Sequence, residues 1–293
     1  MVQNRSLGWV ERSWCALITT LGAAVAGCGG GGLSPACSDE TTIPTATSGD
    51  WGFAPMVSPD GNHLVFLSHS VASSAGTLVA HAVETGVTTE LATDVPDLDG
   101  GELSADGAVV RYFVGGTDVV GVAFATGEPV PPITLSTAVF AVDISPDGST
   151  IVGSTGDAIV VFDGVTGAER ARFPGAFESG RISPDGSRFA YFRTTEKIEL
   201  LDLVTGDHRD VLTDSAIAHL VDRLDWLPDG RRVITVLDDG LGIVDLDAPV
   251  PSVHPVHAGV ITRGVRAARG ADVIVYTDEA GGHVWPCAFE MLP

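Results

Sequence analysis

The chain after Gly27 alternates short apolar runs with residues that favour turns. Runs rich in Val, Ile, Phe and Thr recur, and Gly, Asp and Pro stand at their ends. This pattern is typical of β-strands, because β-branched and aromatic side chains suit a pleated surface. Long stretches with a helical period of 3.6 residues are hard to find in the same region. The sequence therefore predicts an all-β domain.

One four-residue turn sequence recurs along this region. Ser-Pro-Asp-Gly occurs three times, ending at Gly61, Gly148 and Gly186, and two copies with one change end at Gly107 and Gly230. A degenerate sixth copy is Ala267-Ala268-Arg269-Gly270. The glycines are spaced 38 to 46 residues apart, which is the range for one blade of a propeller.

Each repeat contains a second turn about 20 residues after the first. These turns are Thr85-Gly86, Thr126-Gly127, Thr166-Gly167, Thr205-Gly206 and, in the fifth repeat, Asp247-Ala248-Pro249. Asp-Gly and related pairs allow the positive φ of a tight hairpin. Two turns and one further loop make four strands per repeat. A single four-stranded sheet cannot bury both of its faces, so six such sheets are expected to form a ring.

The repeats resemble those of TolB-like and other WD40-like bacterial β-propellers, over roughly residues 49 to 293. The resemblance implies a six-bladed propeller of four-stranded antiparallel blades. It implies little about activity, since propellers serve unrelated functions.

The last repeat lacks its outermost strand. After the strand candidates at 273–276 and 283–289 the sequence ends at Pro293, whereas 41–47 near the N-terminus is strand-like and has no other use. We therefore expect this segment to complete the sixth blade as an edge strand, where Pro44 is tolerated. Cys37 and Cys287 flank the proposed pairing, and we expect a disulfide between them; two free thiols are the alternative.

The N-terminus has the parts of a bacterial lipoprotein signal. Arg5 and Arg12 precede an uncharged apolar stretch that is too short to span a bilayer, and Val25-Ala26-Gly27-Cys28 resembles a lipobox. We predict a signal peptide at 1–27, lipidation of Cys28, a flexible tether at 28–37 and a propeller at 38–293. The alternative is an ordinary cleavable signal.

The composition is strongly acidic. The formal net charge of the whole chain is −22, and loss of Arg5, Arg12 and Glu11 with the signal makes the remainder more negative by one. Such a surface repels polyanions, so we exclude nucleic acid as a partner. Solubility is the simpler explanation of the charge than a dedicated partner.

Charged residues recur in the strand before each repeated turn, which should be the innermost strand of each blade. The equivalent positions are Met56, Glu102, Asp143, Arg181, Asp225 and Arg266. They could form a ring in the central channel that holds a small polar ligand or a cation. The alternative, which we favour, is salt bridging between blades, such as Asp143 or Asp225 with Arg181, because buried charges are usually paired.

Other candidate chemistry is weaker. His254 and His257 form a metal-like pair without a third ligand nearby in sequence. Asp94, Asp97, Asp99 and Glu102 superficially resemble a calcium loop, but their spacing differs from that of an EF-hand and a solvated acidic loop is favoured. No catalytic arrangement of residues is apparent, and no cofactor is expected.

These features predict a monomeric, non-catalytic propeller that binds an envelope protein and is anchored by lipid, by weak preference in the outer membrane. The alternative is an enzyme or a small-ligand or cation-binding propeller with a site at the channel, using Glu102, Asp143 and Asp225.

Overall fold

The computed structural model of the protein describes residues 37–44, 55–68, 75–96, 100–194, 197–214, 217, 224–259, 263–277 and 281–292. Contacts divide the chain into residues 1–30 and 31–293, and every described residue belongs to the second unit. The predicted signal peptide, Cys28 and most of the tether therefore lie outside the described residues. Within the described ranges, no helix has both the length and the apolar character needed to cross a membrane.

The described residues form 24 strands and one short 3-10 helix. The first sheet contains β2 (Met56–Val57), β3 (His63–Ser68), β4 (Ala75–Ala82) and β5 (Thr88–Pro96). The second contains β6 (Gly101–Leu103), β7 (Val109–Phe113), β8 (Gly116–Ala123) and β9 (Pro129–Val139). The third contains β10 (Ala141–Ile144), β11 (Thr150–Ser154), β12 (Ala158–Asp163) and β13 (Glu169–Pro174).

The fourth sheet contains β14 (Ser179–Ile182), β15 (Arg188–Thr194), β16 (Lys197–Asp202) and β17 (His208–Thr213). The fifth contains β18 (Leu224–Trp226), β19 (Arg232–Leu237), β20 (Gly240–Asp245) and β21 (Val253–Ala258). The sixth contains β22 (Arg263–Ala267), β23 (Val273–Thr277), β24 (Gly281–Pro286) and β1 (Thr41–Pro44). The 3-10 helix spans Phe289–Met291.

The six sheets are the blades of a closed ring, numbered here 1 to 6 in the order just given. All pairings within a blade are antiparallel, and the first strand of each blade contacts the first strand of the next, with β22 returning to β2. The protein is therefore a six-bladed β-propeller, which confirms the predicted fold class.

The repeated tetrapeptide forms the turn between the first two strands of a blade. In blade 3 the Ser145 hydroxyl donates to Asp147 Oδ1 at 2.7 Å and accepts the Thr150 N–H at 2.9 Å. Gly148 has a φ of 69°, which a residue with a Cβ adopts only at a cost. The same bonds recur at Ser58, Ser104 and Ser183, so the repeat encodes its own turn.

The sixth turn differs from the sequence alignment by one residue. The Ala268 N–H donates to the Val273 carbonyl, as the Ser58 N–H donates to the His63 carbonyl, so the turn begins at Ala268 rather than at Ala267. Arg269 consequently takes the position of the motif proline, and Gly270 does not adopt a positive φ. Its N–H donates to the Pro59 carbonyl at 2.7 Å, which joins blade 6 to blade 1.

The N-terminal segment closes the ring as predicted. β1 pairs antiparallel with β24, with Thr41 opposite Val284 and Pro44 opposite Gly281, and it is the outermost strand of blade 6. Residues 45–47 of the predicted strand lie outside the described ranges. Cys37 and Cys287 form a disulfide beside this pairing. The predicted strand 283–289 is shorter than expected, since β24 ends at Pro286 and Phe289 begins the 3-10 helix.

The apolar core is divided among the six blade interfaces. Each of six clusters of buried side chains draws its members from two neighbouring blades, and the last joins Ile43 and Val284 of blade 6 to Val57 and Leu64 of blade 1. The innermost strands are thereby fixed around the axis, with their charged residues close to one another.

Candidate functional site in the central channel

The predicted charged positions all lie on innermost strands. Asp143, Arg181, Asp225 and Arg266 are at most 3% exposed, and Glu102 is partly buried. Met56, the sixth position, is apolar and also buried. The sequence placed these residues at equivalent points in the repeats, and the structure brings them together around the channel.

Asp143 of blade 3 binds the backbone and a side chain of blade 4. Its Oδ2 accepts the Ile182 N–H at 2.6 Å, and its Oδ1 accepts from the Arg181 guanidinium at 3.2 Å. Burial raises the pKa of Asp143, and the Arg181 charge and the Ile182 N–H oppose that rise. The favoured interpretation, salt bridging between blades, is present at this position.

Asp225 of blade 5 makes the equivalent contacts with blade 6. Its Oδ2 accepts the Ala267 N–H at 2.9 Å, and its Oδ1 accepts the Trp226 N–H at 2.9 Å and an Arg269 N–H at 3.1 Å. The sequence offered Asp225 as an alternative partner of Arg181, whereas in the structure Asp225 pairs with Arg269. In both blades the carboxylate binds the backbone of the following blade, which makes it part of the ring's structure.

Arg269 is a channel residue that the sequence interpretation missed. Burial lowers its pKa, but Asp225, Glu102 and Asp143 more than compensate, so the pKa lies above its ordinary value. A signal was visible in the sequence, because in the aligned repeats a positive residue replaces the motif aspartate in the sixth copy alone. Its distance from Asp225 in sequence hid the pairing.

Glu102 of blade 2 occupies the same strand position as Asp143 and Asp225 but makes different contacts. Within the part of the chain that the structure describes, its carboxylate makes no hydrogen bond or ion pair. Burial, followed by the opposing charges of Arg269 and the like charge of Asp143, sets its pKa, which is raised to about 7. The neighbouring ring positions explain why Glu102 has no ion-pair partner there. Met56 in blade 1 carries no charge, and Asp143 in blade 3 carries the same charge as Glu102.

A cavity of about 390 Å³ lies between blades 2 and 3 and has Glu102 in its wall. Blade 2 contributes Arg111 and the segment Pro131–Ile133, and blade 3 contributes its first turn around Asp147 and the exposed Val165. The cavity therefore connects a channel carboxylate with the face of the propeller that carries these turns.

The other sequence candidates do not come together. His254 contacts Ser252 at 3.2 Å and is exposed, whereas His257 contacts the Tyr276 hydroxyl at 3.0 Å. A β-bulge in β21 lies between the two histidines. Of the acidic loop, Asp97 and Asp99 lie outside the described residues, Asp94 is exposed on β5, and Glu102 faces the channel. No group of three or more metal-ligating side chains occurs among the described residues.

A second polar cluster lies where the ring closes. The Tyr276 hydroxyl donates to Glu40 and contacts His257, and the His283 ring stacks on Tyr276 at 4.7 Å between centroids. His283 Nδ1 lies 3.5 Å from the Glu40 carboxylate. Because Glu40 precedes β1, this cluster fixes the N-terminal strand to blades 5 and 6. No motif in the sequence predicts this cluster, since its members are far apart along the chain.

Comparison with known proteins shows a fold class and no family. No protein-family model matches the chain, and no curated protein matches it. Among solved structures, the β-propeller domain of Cps50 (Swd1) from Myceliophteria thermophila has 12% identity and a TM-score of 0.57; the match covers 85% of this chain and 99% of that one.

Hydrazine synthase from Kuenenia stuttgartiensis is also similar, with 18% identity and a TM-score of 0.55. That match covers 78% of this chain and 74% of the other. At these identities the likeness concerns the fold alone. The class defined by the structure is therefore the six-bladed β-propeller, and the site must be interpreted from its own residues.

Proposed function

We propose that this protein is a lipid-anchored, non-catalytic binding module of the bacterial cell envelope. The proposal rests mainly on two features: the channel carboxylates are bound within the ring, and exposed apolar side chains lie on one outer face. Asp143 and Asp225 are bound to neighbouring blades through backbone and arginine contacts, so most of the channel charge supports the ring. Binding to a partner is then expected on an outer face.

The best candidate surface for this partner is the face of the propeller that carries the turns after the first and third strands of each blade. Successive antiparallel strands reverse direction, so the turns after the first and third strands lie on the same face of every blade. Val165 and Val204 occupy the same point in the third-strand turns of neighbouring blades 3 and 4, and they are 79% and 82% exposed. Adjacent exposed apolar side chains of this kind are typical of a protein contact.

Export is supported by the closing disulfide. Disulfides persist in oxidising compartments such as the periplasm, and the Cys37–Cys287 pair lies immediately after the proposed lipidated tether. The lipobox-like Val25-Ala26-Gly27-Cys28 supplies the anchor in this proposal. Nine residues of tether reach at most about 30 Å, which would keep the propeller close to its membrane.

Two measurements in a bacterial host test the proposal. Labelled palmitate should be incorporated into the full chain and into a Cys37→Ser variant, and not into Cys28→Ser, which should also leave the membrane fraction. Photo-crosslinking residues at Val165 and Val204 should capture the same envelope protein in intact cells, whereas one at Asp157, exposed on the opposite face, should not. Equal labelling of the Cys28→Ser variant would refute the anchor, and position-independent crosslinking would refute the binding face.

A further inference from the structure

The cavity between blades 2 and 3 contains a carboxylate that the fold does not use. Asp143 and Asp225 each accept a backbone N–H from the following blade and pair with an arginine. Glu102 stands at the equivalent strand position, yet it accepts no such bond from the described residues and reaches the cavity wall instead. Because this partly buried carboxylate opens onto the cavity and is not engaged by the fold, it is available to a ligand that enters there.

The charges of the cavity favour a cation over an anion. Its wall carries the carboxylates of Glu102, Asp106 and Asp147 and one guanidinium, Arg111. One Oδ of Asp106 and of Asp147 accepts a hydrogen bond from a turn serine, so these two carboxylates are held as negative charges in the cavity wall. Hydrogen bonds from Ser104 lower the pKa of Asp106, and it is ionised throughout the neutral range. The protein's overall negative charge adds to the attraction of a cation.

The remaining wall is apolar and its shape limits the ligand. Pro131, Ile133 and Ile144 are part of the cavity wall, and so is the exposed Val165. A volume of about 390 Å³ suits a small organic molecule better than a bare metal ion, for which no cluster of ligands occurs in the described residues. An aliphatic chain would contact the prolines and isoleucines while a charged end reaches the carboxylate.

We propose that this cavity binds a small aliphatic amine, with the ammonium group paired to the Glu102 carboxylate and the hydrocarbon part packed against Pro131 and Ile133. This inference does not depend on the lipid anchor or on a protein partner. It assigns a role to Glu102, the one carboxylate of the ring positions that does not bind the next blade.

Binding of such a cation is linked to the protonation of Glu102. The carboxylate must be ionised to pair with an ammonium group, so affinity should rise as the pH passes through about 7 and then level off. Arg111 lies opposite Glu102 on the neighbouring strand and lines the same cavity. The other charged groups that act on Glu102 are Arg266 and Arg269 of blade 6, Asp143 of blade 3 and Asp225 of blade 5. None of these belongs to the aliphatic wall, so substitution of Glu102 can be separated from packing against the amine.

The test uses three ligands of equal chain length that differ only in their polar end: n-pentylamine, 1-pentanol and pentanoate. Binding to the full propeller is followed by NMR chemical-shift changes at pH 8.5 and 5.5. Pentylamine should bind saturably and at least about tenfold more tightly at the higher pH, while pentanol and pentanoate should show no saturable binding.

Two variants make the result specific. Glu102→Gln keeps the size and polarity of the side chain and should weaken pentylamine binding at pH 8.5 by about tenfold or more, with the backbone spectrum otherwise unchanged. Glu90→Gln, the same substitution at an exposed residue of β5 outside the cavity wall, is the matched control and should change it by no more than about threefold. Unchanged affinity in Glu102→Gln, equal losses in both variants, or equal binding of pentanol would overturn the proposal.

A fourth ligand separates a free amine from a lysine side chain presented by a polypeptide. Nα-acetyl-lysine methylamide carries the same ammonium group on a peptide backbone, which the cavity mouth must admit. Weaker binding of this compound than of pentylamine supports a small-molecule site. Binding more than tenfold tighter would replace the small amine by a lysine side chain of a partner and overturn the assignment.

Discussion

Two parts of the channel use the same strand position in different ways. In blades 3 to 6 the position alternates between negative and positive residues, and Asp143 and Asp225 both bind the next blade. In blades 1 and 2 it holds Met56 and Glu102, and Glu102 makes no bond within the described chain. We call blades 3 to 6 the paired half, because their buried charged residues bind neighbouring blades and stabilise the ring. We call blades 1 and 2 the open half, because the Glu102 carboxylate remains available there for a ligand.

Removal of a carboxylate from the paired half should have the largest effect on stability. Asp225→Ala takes away the acceptor for the Ala267 and Trp226 N–H groups and leaves Arg269 buried beside a lost partner. Breaking a buried pair in this way costs about 3–5 kcal/mol. Urea denaturation of the propeller should show this loss.

The double variant Asp225→Ala with Arg269→Ala provides the control. It removes both charges, so it should be more stable than the sum of the two single variants predicts. Additive losses would mean that the two side chains do not interact energetically, and the paired half would then be defined only by its backbone contacts.

The seam at which blade 6 meets the N-terminal strand should respond next. The Cys37–Cys287 disulfide spans 250 residues of sequence, and such a crosslink mainly restricts the unfolded chain. Reduction should lower the free energy of unfolding by about 2–4 kcal/mol. Thermal melts with and without reductant measure the change.

A variant with both Cys37→Ser and Cys287→Ser should melt like the reduced protein and should not respond to reductant. If the reduced and oxidised proteins melted together, the β1–β24 pairing and the Glu40–Tyr276 contact alone would hold the ring closed.

The open half predicts that the stability of the protein falls as Glu102 ionises. The pKa of Glu102 is raised in the folded protein to about 7, so the folded state holds a proton that the unfolded state has released above about pH 4.3. This contribution to stability is therefore lost as the pH rises from about 4.3 to about 7. At pH 8.5 the ionised, partly buried Glu102 should cost on the order of 2 kcal/mol, reduced from the full shift because solvent reaches part of the side chain.

Glu102→Gln removes the titration while keeping the shape. It should match the wild-type protein in urea denaturation at pH 5 and be more stable at pH 8.5. A constant difference between the two proteins at both pH values would show that Glu102 does not titrate in this range.

The fold could be predicted from the sequence because the turn chemistry is local. In the four copies that contain serine, the serine hydroxyl bonds to the motif aspartate and to an N–H five residues on, so their recurrence marks these blades directly. Closure could also be predicted, since one blade lacked a strand and two cysteines flanked the only candidate. The channel was predictable as a set of positions on equivalent strands.

The pairings within the channel could not be predicted in full. Arg269 was missed because its partner Asp225 lies 44 residues away and belongs to another blade, and because the sixth turn begins one residue later than its glycine indicates. His257 was grouped with His254 by sequence spacing, whereas in the structure it contacts Tyr276 and a β-bulge separates it from His254. Such contacts depend on the register between blades, which a repeat pattern in one chain does not contain.

The smallest expected effect tests whether the two halves differ only in the channel. Ser58 in blade 1 and Ser145 in blade 3 are both buried and make the same pair of hydrogen bonds in their turns. Ser58→Ala and Ser145→Ala should therefore each cost about 1 kcal/mol in urea denaturation. A clearly larger loss in one half would mean that the asymmetry extends from the channel into the turns, because the turn bonds themselves are equivalent. Equal losses would confine the asymmetry to the charged position, where Glu102 replaces the bonded aspartate of blades 3 and 5.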